Sequence, residues 1–341
     1  MTGCAGSRTR AGGKSFRSAD AVRSLTAAAL VLAALIALAA ALYFGSVRMT
    51  GNEWLHALAG GGDESNREIV WSLRMPRAAA AFACGALLAL AGTLLQVLLR
   101  NPLADPSILG VSGGAAVGAL AGILLGLPYW AVQGLAFAGA CAAAGILLAL
   151  AVRLTGWNIH RVLLTGVALG AGCGAMVSLM LAAAPAAQLH GMLFWLLGDL
   201  SGAEQPLPAW LALAAVLACA QGFAHQLDAL TLGPLKARSL GVAVGRVQTA
   251  AFLAAAVATV AAVLIAGSIG FVGLVVPHAL RLAGFSGHRS LIPLAAVAGG
   301  TLLTAADTLA RAAAAPLEFP VGAVTALIGV PVLLALLARS R

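Results

Sequence analysis

Long apolar runs alternate with short polar or glycine- and proline-rich breaks along almost the whole chain. A transmembrane helix needs about 20 consecutive apolar residues, and the pattern predicts about ten such helices. We place them near residues 25–44, 76–99, 110–126, 129–152, 161–184, 207–223, 249–266, 271–284, 291–309 and 321–338. The predicted fold class is therefore an all-α polytopic membrane protein. The run near 271–284 is short and broken by glycine and proline, so hydropathy alone leaves open whether it crosses fully.

Composition supports this fold class, because 61% of the residues are hydrophobic and only 9% are charged. A soluble domain carries roughly 25% charged residues. Four of the five cysteines, Cys84, Cys141, Cys173 and Cys219, lie inside apolar runs without metal-ligand spacing. They are interpreted as small core residues, and the sequence predicts neither a disulfide framework nor a metal site.

Basic residues are concentrated on one side of the predicted topology. Short cytoplasmic loops retain Lys and Arg, so the basic residues 1–24 are interpreted as a disordered cytoplasmic tail before a membrane domain at 25–341. If the run near 271–284 crosses, 15 of the 20 Lys and Arg residues lie in the cytoplasm. That asymmetry favours the crossing and predicts that both termini are cytoplasmic.

Residues 228–248 form a polar, basic segment between two long apolar runs. They include Asp228, Lys236, Arg238 and Arg246. A basic side chain at the bilayer centre costs roughly 2.5–3.5 kcal/mol, so the segment must lie in water or against another protein. We expect a short amphipathic helix that forms a cytoplasmic docking surface; a solvated loop without a partner is the alternative.

Two rows of glycines recur every fourth residue in the predicted third and fifth helices. The rows are Gly110, Gly114, Gly118, Gly122, Gly126 and Gly166, Gly170, Gly174. Small residues at this spacing let membrane helices approach closely. Close packing is the expected role of both rows, with a lining of a pore as the alternative.

Six blocks stand out along the chain: RMPR (74–77), NPLADPSILGVSGGA (101–115), PLKARSLGV (234–242), GFVGLVVPHALRL (270–282), ADTLAR (306–311) and EFPVGAVTALIGVPVLLALL (318–337). In this order they resemble the FecCD family of ABC importer permeases for ferric siderophores, haem and cobalamin. The resemblance implies a bundle like that of the cobalamin importer permease, in a bacterial inner membrane. It also implies a second permease subunit, identical or a sister chain, with the translocation path at their interface.

The resemblance further implies that two ATPase subunits bind on the cytoplasmic side and a periplasmic or lipid-anchored binding protein docks outside. The ATPase subunits would bind ATP and magnesium, and this subunit would be a transport protein without a cofactor or catalytic site. The implied cargo is an iron–siderophore complex, or haem or cobalamin. The implied partners include membrane lipid and exclude nucleic acid.

Site residues follow from the same blocks. The resemblance assigns docking of the binding protein to Arg74, Arg77 and Arg311, for which anchoring to lipid headgroups is the alternative. It assigns ATPase coupling to Lys236, Ala237, Arg238, Ser239, Leu240, Gly241, Val242 and Gly245. It assigns one cytoplasmic gate to Asn101 and Leu103 and a second to Asn158, Ile159 and His160, where the family pattern has small hydroxyl residues.

Two other classes of protein fit the sequence less well. An ion-coupled secondary transporter normally needs carboxylates near mid-membrane at broken helices; Asp199, Glu204 and Glu318 lie in predicted loops. A membrane-embedded enzyme would need clustered His, Asp or Glu, and the six histidines are scattered. Asp307 is expected at the outer interface, and His278 is expected to hydrogen-bond a neighbouring helix.

Overall fold

A computed structural model of the chain describes residues 12–152, 157–313 and 315–339, which form a bundle of α-helices. The helices are α1 Gly12–Tyr43, α2 Gly51–Leu58, α3 Glu64–Glu68, α4 Met75–Leu98, α5 Val111–Leu124, α6 Tyr129–Val152, α7 Ile159–Ala183, α8 Ala186–Leu197, α9 Leu207–Gly222, α10 Ala224–Thr231, α11 Pro234–Ser239, α12 Val244–Ala266, α13 Val272–Leu282, α14 His288–Ala312 and α15 Val321–Arg339. A π-helix at Ile69–Arg74 joins α3 to α4, and a 3-10 helix at Pro106–Leu109 precedes α5.

The ten predicted apolar helices are confirmed in order and position as α1, α4, α5, α6, α7, α9, α12, α13, α14 and α15. Within the described ranges, six are long and apolar enough to cross a membrane, and α9 with α10 forms a seventh candidate bent by 60°. The apolar parts of α5, α13 and α15 are shorter. At 1.5 Å per residue α13 is only about 16 Å long, so its crossing stays a prediction.

The predicted disordered tail needs a correction. α1 begins at Gly12, so residues 12–24 are helical rather than disordered, and residues 1–11 lie outside the described ranges. The physical reason is cooperativity. Once the apolar part of a helix is formed, each further residue adds one hydrogen bond without a new nucleation cost, and residues 14–24 contain neither glycine nor proline.

Helix α4 is the centre of the bundle, because nearly all of its residues from Ala78 to Leu98 are buried. Its glycines allow direct backbone contact with two neighbours. A Cβ added at Gly85 would lie 2.3 Å from the Gly299 carbonyl oxygen of α14, and one added at Gly92 would lie 1.7 Å from the Gly273 oxygen of α13. No side chain fits there, so these contacts fix how α13 and α14 lie on α4.

The two predicted glycine rows behave differently. In α5, a Cβ at Gly118 would lie 2.0 Å from the Leu135 oxygen of α6, and one at Gly114 would lie 2.3 Å from the Gly139 oxygen, so close packing is confirmed. In α7, only Gly166 is packed, against Ile108, whereas Gly170 and Gly174 have open space beside them. Close packing is therefore wrong for most of the α7 row within this chain.

Candidate functional site

Polar contacts are concentrated at the two ends of the bundle, which α14 connects. His288 at its first residue contacts Asp228, and Arg311 near its last residue lies beside Asp307. We call the end with residues 228–248 the lower end and the end with Arg311 the upper end. These names describe the bundle alone and imply no side of a membrane.

At the lower end, two glycines delimit the short helix α11. Gly233 and Gly241 have φ angles of 99° and 81°, which favour glycine because it lacks a Cβ. Pro234 occupies the first turn of α11, where its missing N–H costs nothing. Ala237 is fully buried and accepts a hydrogen bond from Val242 N at 3.0 Å, so α11 rests on the bundle by one face only.

The other face of α11 is exposed, and we call it the lower docking surface. It combines basic and apolar side chains: Lys236, Arg238, Leu235 and Leu240. Leu235 is 80% exposed and Leu240 is 64% exposed. Ser239, Gly241 and Gly245 are exposed as well, and Val242 is half-buried. An exposed helix was predicted here and is confirmed; its contact with an ATPase stays a prediction.

The base of this region is a half-buried hydrogen-bonded pair, Asp228 and His288, that sequence reasoning missed. The Asp228 Oδ1 atom lies 2.8 Å from the backbone N and 2.5 Å from Nδ1 of His288. The His288 side chain is 1% exposed and that of Asp228 is 38% exposed. The two residues are 60 positions apart in the chain, so no local sequence pattern connects them.

The predicted second gate lies beside α11. Asn158, Ile159 and His160 line a lower-end cavity of about 520 Å³ together with Leu99, Arg100, Trp157, Pro234 and Gln248. The Asn158 side chain caps α7, because its Oδ1 accepts from His160 N at 3.0 Å and from Arg161 N at 3.4 Å. Asn is a preferred helix cap, which accounts for Asn at this position. The gating role stays a prediction.

The predicted first gate lies in the loop after α4. Asn101 Oδ1 accepts from Leu103 N at 2.9 Å, and Leu103 is 38% exposed. In the same loop, burial raises the pKa of the Asp105 carboxyl, although that carboxyl accepts a hydrogen bond from Ser107 N.

Buried Gln96 of α4 holds this loop against α13. Its Nε2 donates to Leu274 O at 3.2 Å and to Ala104 O at 3.5 Å. Its Oε1 accepts from the Arg281 guanidinium. An isolated glutamine near the end of an apolar helix was the available sequence signal for this contact.

A charged network lies at the upper end and consists of Arg77, Asp307, Arg311 and Glu318. We call this network, together with Arg74, the upper cluster. Arg77 Nη2 donates to Asp307 Oδ1 at 2.9 Å, and Nη1 donates to Glu318 Oε2 at 2.8 Å. Arg311 Nε donates to Asp307 Oδ2 at 3.0 Å. The Asp307 side chain is 1% exposed, so two arginines share one buried carboxylate, and Glu318 supplies a second negative charge to Arg77. The expected position of Asp307 at the outer interface stays a prediction.

The other donors of the upper cluster bind the end of α1. Arg74 donates to the carbonyl oxygens of Leu42, Tyr43 and Val47 at 2.9, 2.7 and 2.5 Å. Arg311 donates to those of Ala41 and Phe44, both at 3.3 Å. The last carbonyls of a helix have no intrahelical partner and carry partial negative charge. The two arginines therefore fasten α1 to the bundle.

The burial of the three predicted docking arginines limits how a partner protein could contact them. Arg74 and Arg311 are 4% and 3% exposed, so anchoring to lipid headgroups does not fit them. All three arginines, with Glu204 and Glu318, line an upper-end cavity of about 380 Å³. A partner could reach their guanidinium groups only by inserting a side chain into this cavity. Docking of a binding protein thus stays a prediction, and the structure restricts it to contacts made inside this cavity.

These features define a multi-pass helical membrane protein with polar surfaces at both ends of an apolar bundle. The profile of the FecCD transport family matches residues 31–339. Because the match covers most of the chain, the chain belongs to the FecCD transport family.

Similar proteins agree with this family. The Vitamin B12 import system permease protein BtuC of Citrobacter koseri is 42% identical over 279 residues, which cover 80% of this chain and 83% of that protein. BtuC of Klebsiella pneumoniae subsp. pneumoniae is 40% identical over 293 residues, covering 85% and 86%. A solved structure of a metal-chelate type ABC transporter in an inward-facing conformation superposes with a TM-score of 0.83 at 25% identity, covering 93% of this chain and 99% of that one.

Proposed function

We propose that this chain is the transmembrane permease subunit of an ATP-driven importer whose cargo is a metal chelate. The class of cargo includes cobalamin, haem and iron–siderophore complexes. The relatives named for vitamin B12 import make cobalamin the first cargo to test. In this proposal the protein lies in a bacterial inner membrane with both termini in the cytoplasm, and ATP and magnesium bind to partner subunits.

The lower docking surface is the observation that carries this proposal. Leu235 and Leu240 leave apolar area in water beside exposed Lys236 and Arg238, and covering that area would stabilise a complex. An ATPase with an apolar cleft and an acidic rim would cover both kinds of side chain. Its closure would push on α11, which rests on the bundle through buried Ala237.

Two further surfaces support the proposal of a second permease subunit and a substrate-binding protein as partners. Only Val162 and Gly166 of α7 are buried, and the open sides of Gly170 and Gly174 could admit a second permease subunit closely. The upper-end cavity with its three arginines fits acidic side chains of a substrate-binding protein. In this arrangement the cargo passes between the two permease subunits.

The direct test is reconstitution after gentle purification from native membranes. We expect an ATPase to copurify, and uptake of labelled cobalamin into proteoliposomes to require ATP and a substrate-binding protein. Uptake of a ferric siderophore or haem instead would change the cargo within the same function. A chain that purifies alone and transports with only an ion gradient would overturn the proposal in favour of a secondary transporter.

A further inference from the structure

The Asp228–His288 pair joins α10 to the start of α14, at a junction where the two helices also pack against each other. One oxygen of Asp228 receives both the backbone N–H and the Nδ1 donor of His288. His288 is the first residue of α14, and the preceding residue, Gly287, offers no side chain to cap it. Asp228 of α10 therefore supplies the N-terminal cap of α14 from outside the helix, where a negative charge is favourable.

Helix α10 is well placed to transmit force from the lower docking surface. Its residues Leu227 and Leu230 are buried, and it is followed directly by Gly233 and α11. A second polar contact strengthens the same junction, because Gln221 Nε2 of α9 donates to Arg289 O of α14 at 3.1 Å. Helix α10 therefore connects the exposed helix α11 to the start of α14.

The far end of α14 enters the upper cluster through Asp307 and Arg311. At 1.5 Å per residue its 25 residues extend about 37 Å. Along its length the Gly299 backbone lies directly against Gly85 of α4. The helix contains Pro293 five residues after His288, and polar contacts hold it at both ends.

We propose that Asp228 and His288 are positioning residues that tether α11 to α14, so that a partner's push on α11 moves α14 and the upper cluster. The partner's identity rests on the proposed function, whereas the tether itself belongs to this chain alone. Without the pair, the junction would keep its apolar packing and the Gln221–Arg289 hydrogen bond but lose the cap on α14, so less of the movement of α11 would reach α14.

The tether is tested first on the permease alone in lipid nanodiscs, by hydrogen–deuterium exchange of residues 224–240. His288→Leu removes the Nδ1 donor, and His288→Asn keeps a donor near that position. Losing a hydrogen bond to a charged group shifts the local equilibrium roughly tenfold. We expect His288→Leu to speed exchange by about that factor, and His288→Asn to restore slow exchange. His225→Leu, at an exposed histidine of α10, is the matched control.

Asp228→Asn provides a second variant should His288→Leu fail to fold. It keeps an oxygen for the backbone N–H of His288 but loses the charge, so we expect an intermediate exchange rate. Unchanged exchange in both Asp228→Asn and His288→Leu would overturn the tether, whether or not an ATPase is ever found.

The transmission of movement is tested in the complex with the copurified ATPase. We expect His288→Leu to retain ATPase binding and ATP hydrolysis while cargo imported per ATP falls roughly tenfold, and His288→Asn to recover the ratio. Faster exchange with an unchanged transport ratio would overturn the transmitting role. Failure to find any ATPase would instead count against the proposed function, while the exchange result still decides the tether.

Discussion

The two ends of the bundle use their basic residues in opposite ways. At the upper end, Arg74 and Arg311 are almost fully buried, and their donors are directed to carboxylates and helix carbonyls of the same chain. At the lower end, Lys236 and Arg238 are exposed and form no ion pair with any residue in the described ranges. One set of charges stabilises the bundle, and the other is available to a partner.

The difference shows that positive charge in a loop does not by itself identify a docking residue. A buried charge must be paired, because leaving its partner out costs far more than an exposed pair contributes. Substitutions at the upper cluster should therefore affect folding first. Substitutions at the lower docking surface should affect partners first and leave folding nearly unchanged.

The largest effect is expected from Asp307→Ala. It leaves Arg77 and Arg311 without their shared buried carboxylate, which should destabilise the protein by about 3–5 kcal/mol. Thermal unfolding in detergent measures the loss, and Glu204→Ala, at an exposed carboxylate of the same end, is the control. A melting temperature equal to that of the control would show that the upper cluster is not structural.

The next largest effect is expected from Gly118→Leu, which tests packing between the two ends. A side chain there meets the Leu135 backbone of α6, and overpacking typically costs about 1–3 kcal/mol. Gly134→Leu on α6, where the structure leaves open space, is the matched control. Equal melting temperatures for the two variants would contradict the close contact between α5 and α6.

Reversal of the lower charges by Lys236→Glu with Arg238→Glu should change stability by less than about 0.5 kcal/mol, because both side chains are exposed. It should nevertheless abolish copurification of the ATPase. Arg289→Glu, at an exposed basic residue of the same end, is the control for charge reversal outside the lower docking surface. If the double variant binds ATPase normally, the lower docking surface is not the contact; if it unfolds, the contrast between the two ends fails.

The smallest effect is expected from Glu318→Gln. Glu318 is 30% exposed in its pair with Arg77, and such pairs contribute roughly 0–1 kcal/mol. Removing its charge should speed association of an acidic binding protein at low salt, since Arg77 loses a competing carboxylate. Surface plasmon resonance at two salt concentrations measures this, with exposed Glu68→Gln as control. An identical association rate in both variants would argue against docking at the upper-end cavity.

Local pattern was sufficient for the order of the helices but not for the partners of polar residues. The three arginines of the upper cluster were identified from short motifs, whereas their burial was not predicted. Their burial depends on the position of the end of α1 beside α4 and α14, which a short sequence motif does not predict. Asn158 shows the reverse case, since a cap at the start of α7 could have been predicted from the residue type and the following helix.

The sequence by itself determined the fold class, the approximate helix positions and the exposed basic segment at 228–248. These follow from the cost of placing charge and unpaired backbone in hydrocarbon, which acts on each segment separately. Only the tertiary structure decided which glycines pack, which arginines are buried and that Asp228 caps α14. Those features are contacts between different segments of the chain, some of them more than 200 residues apart, and their energy depends on an arrangement in space that local composition does not encode.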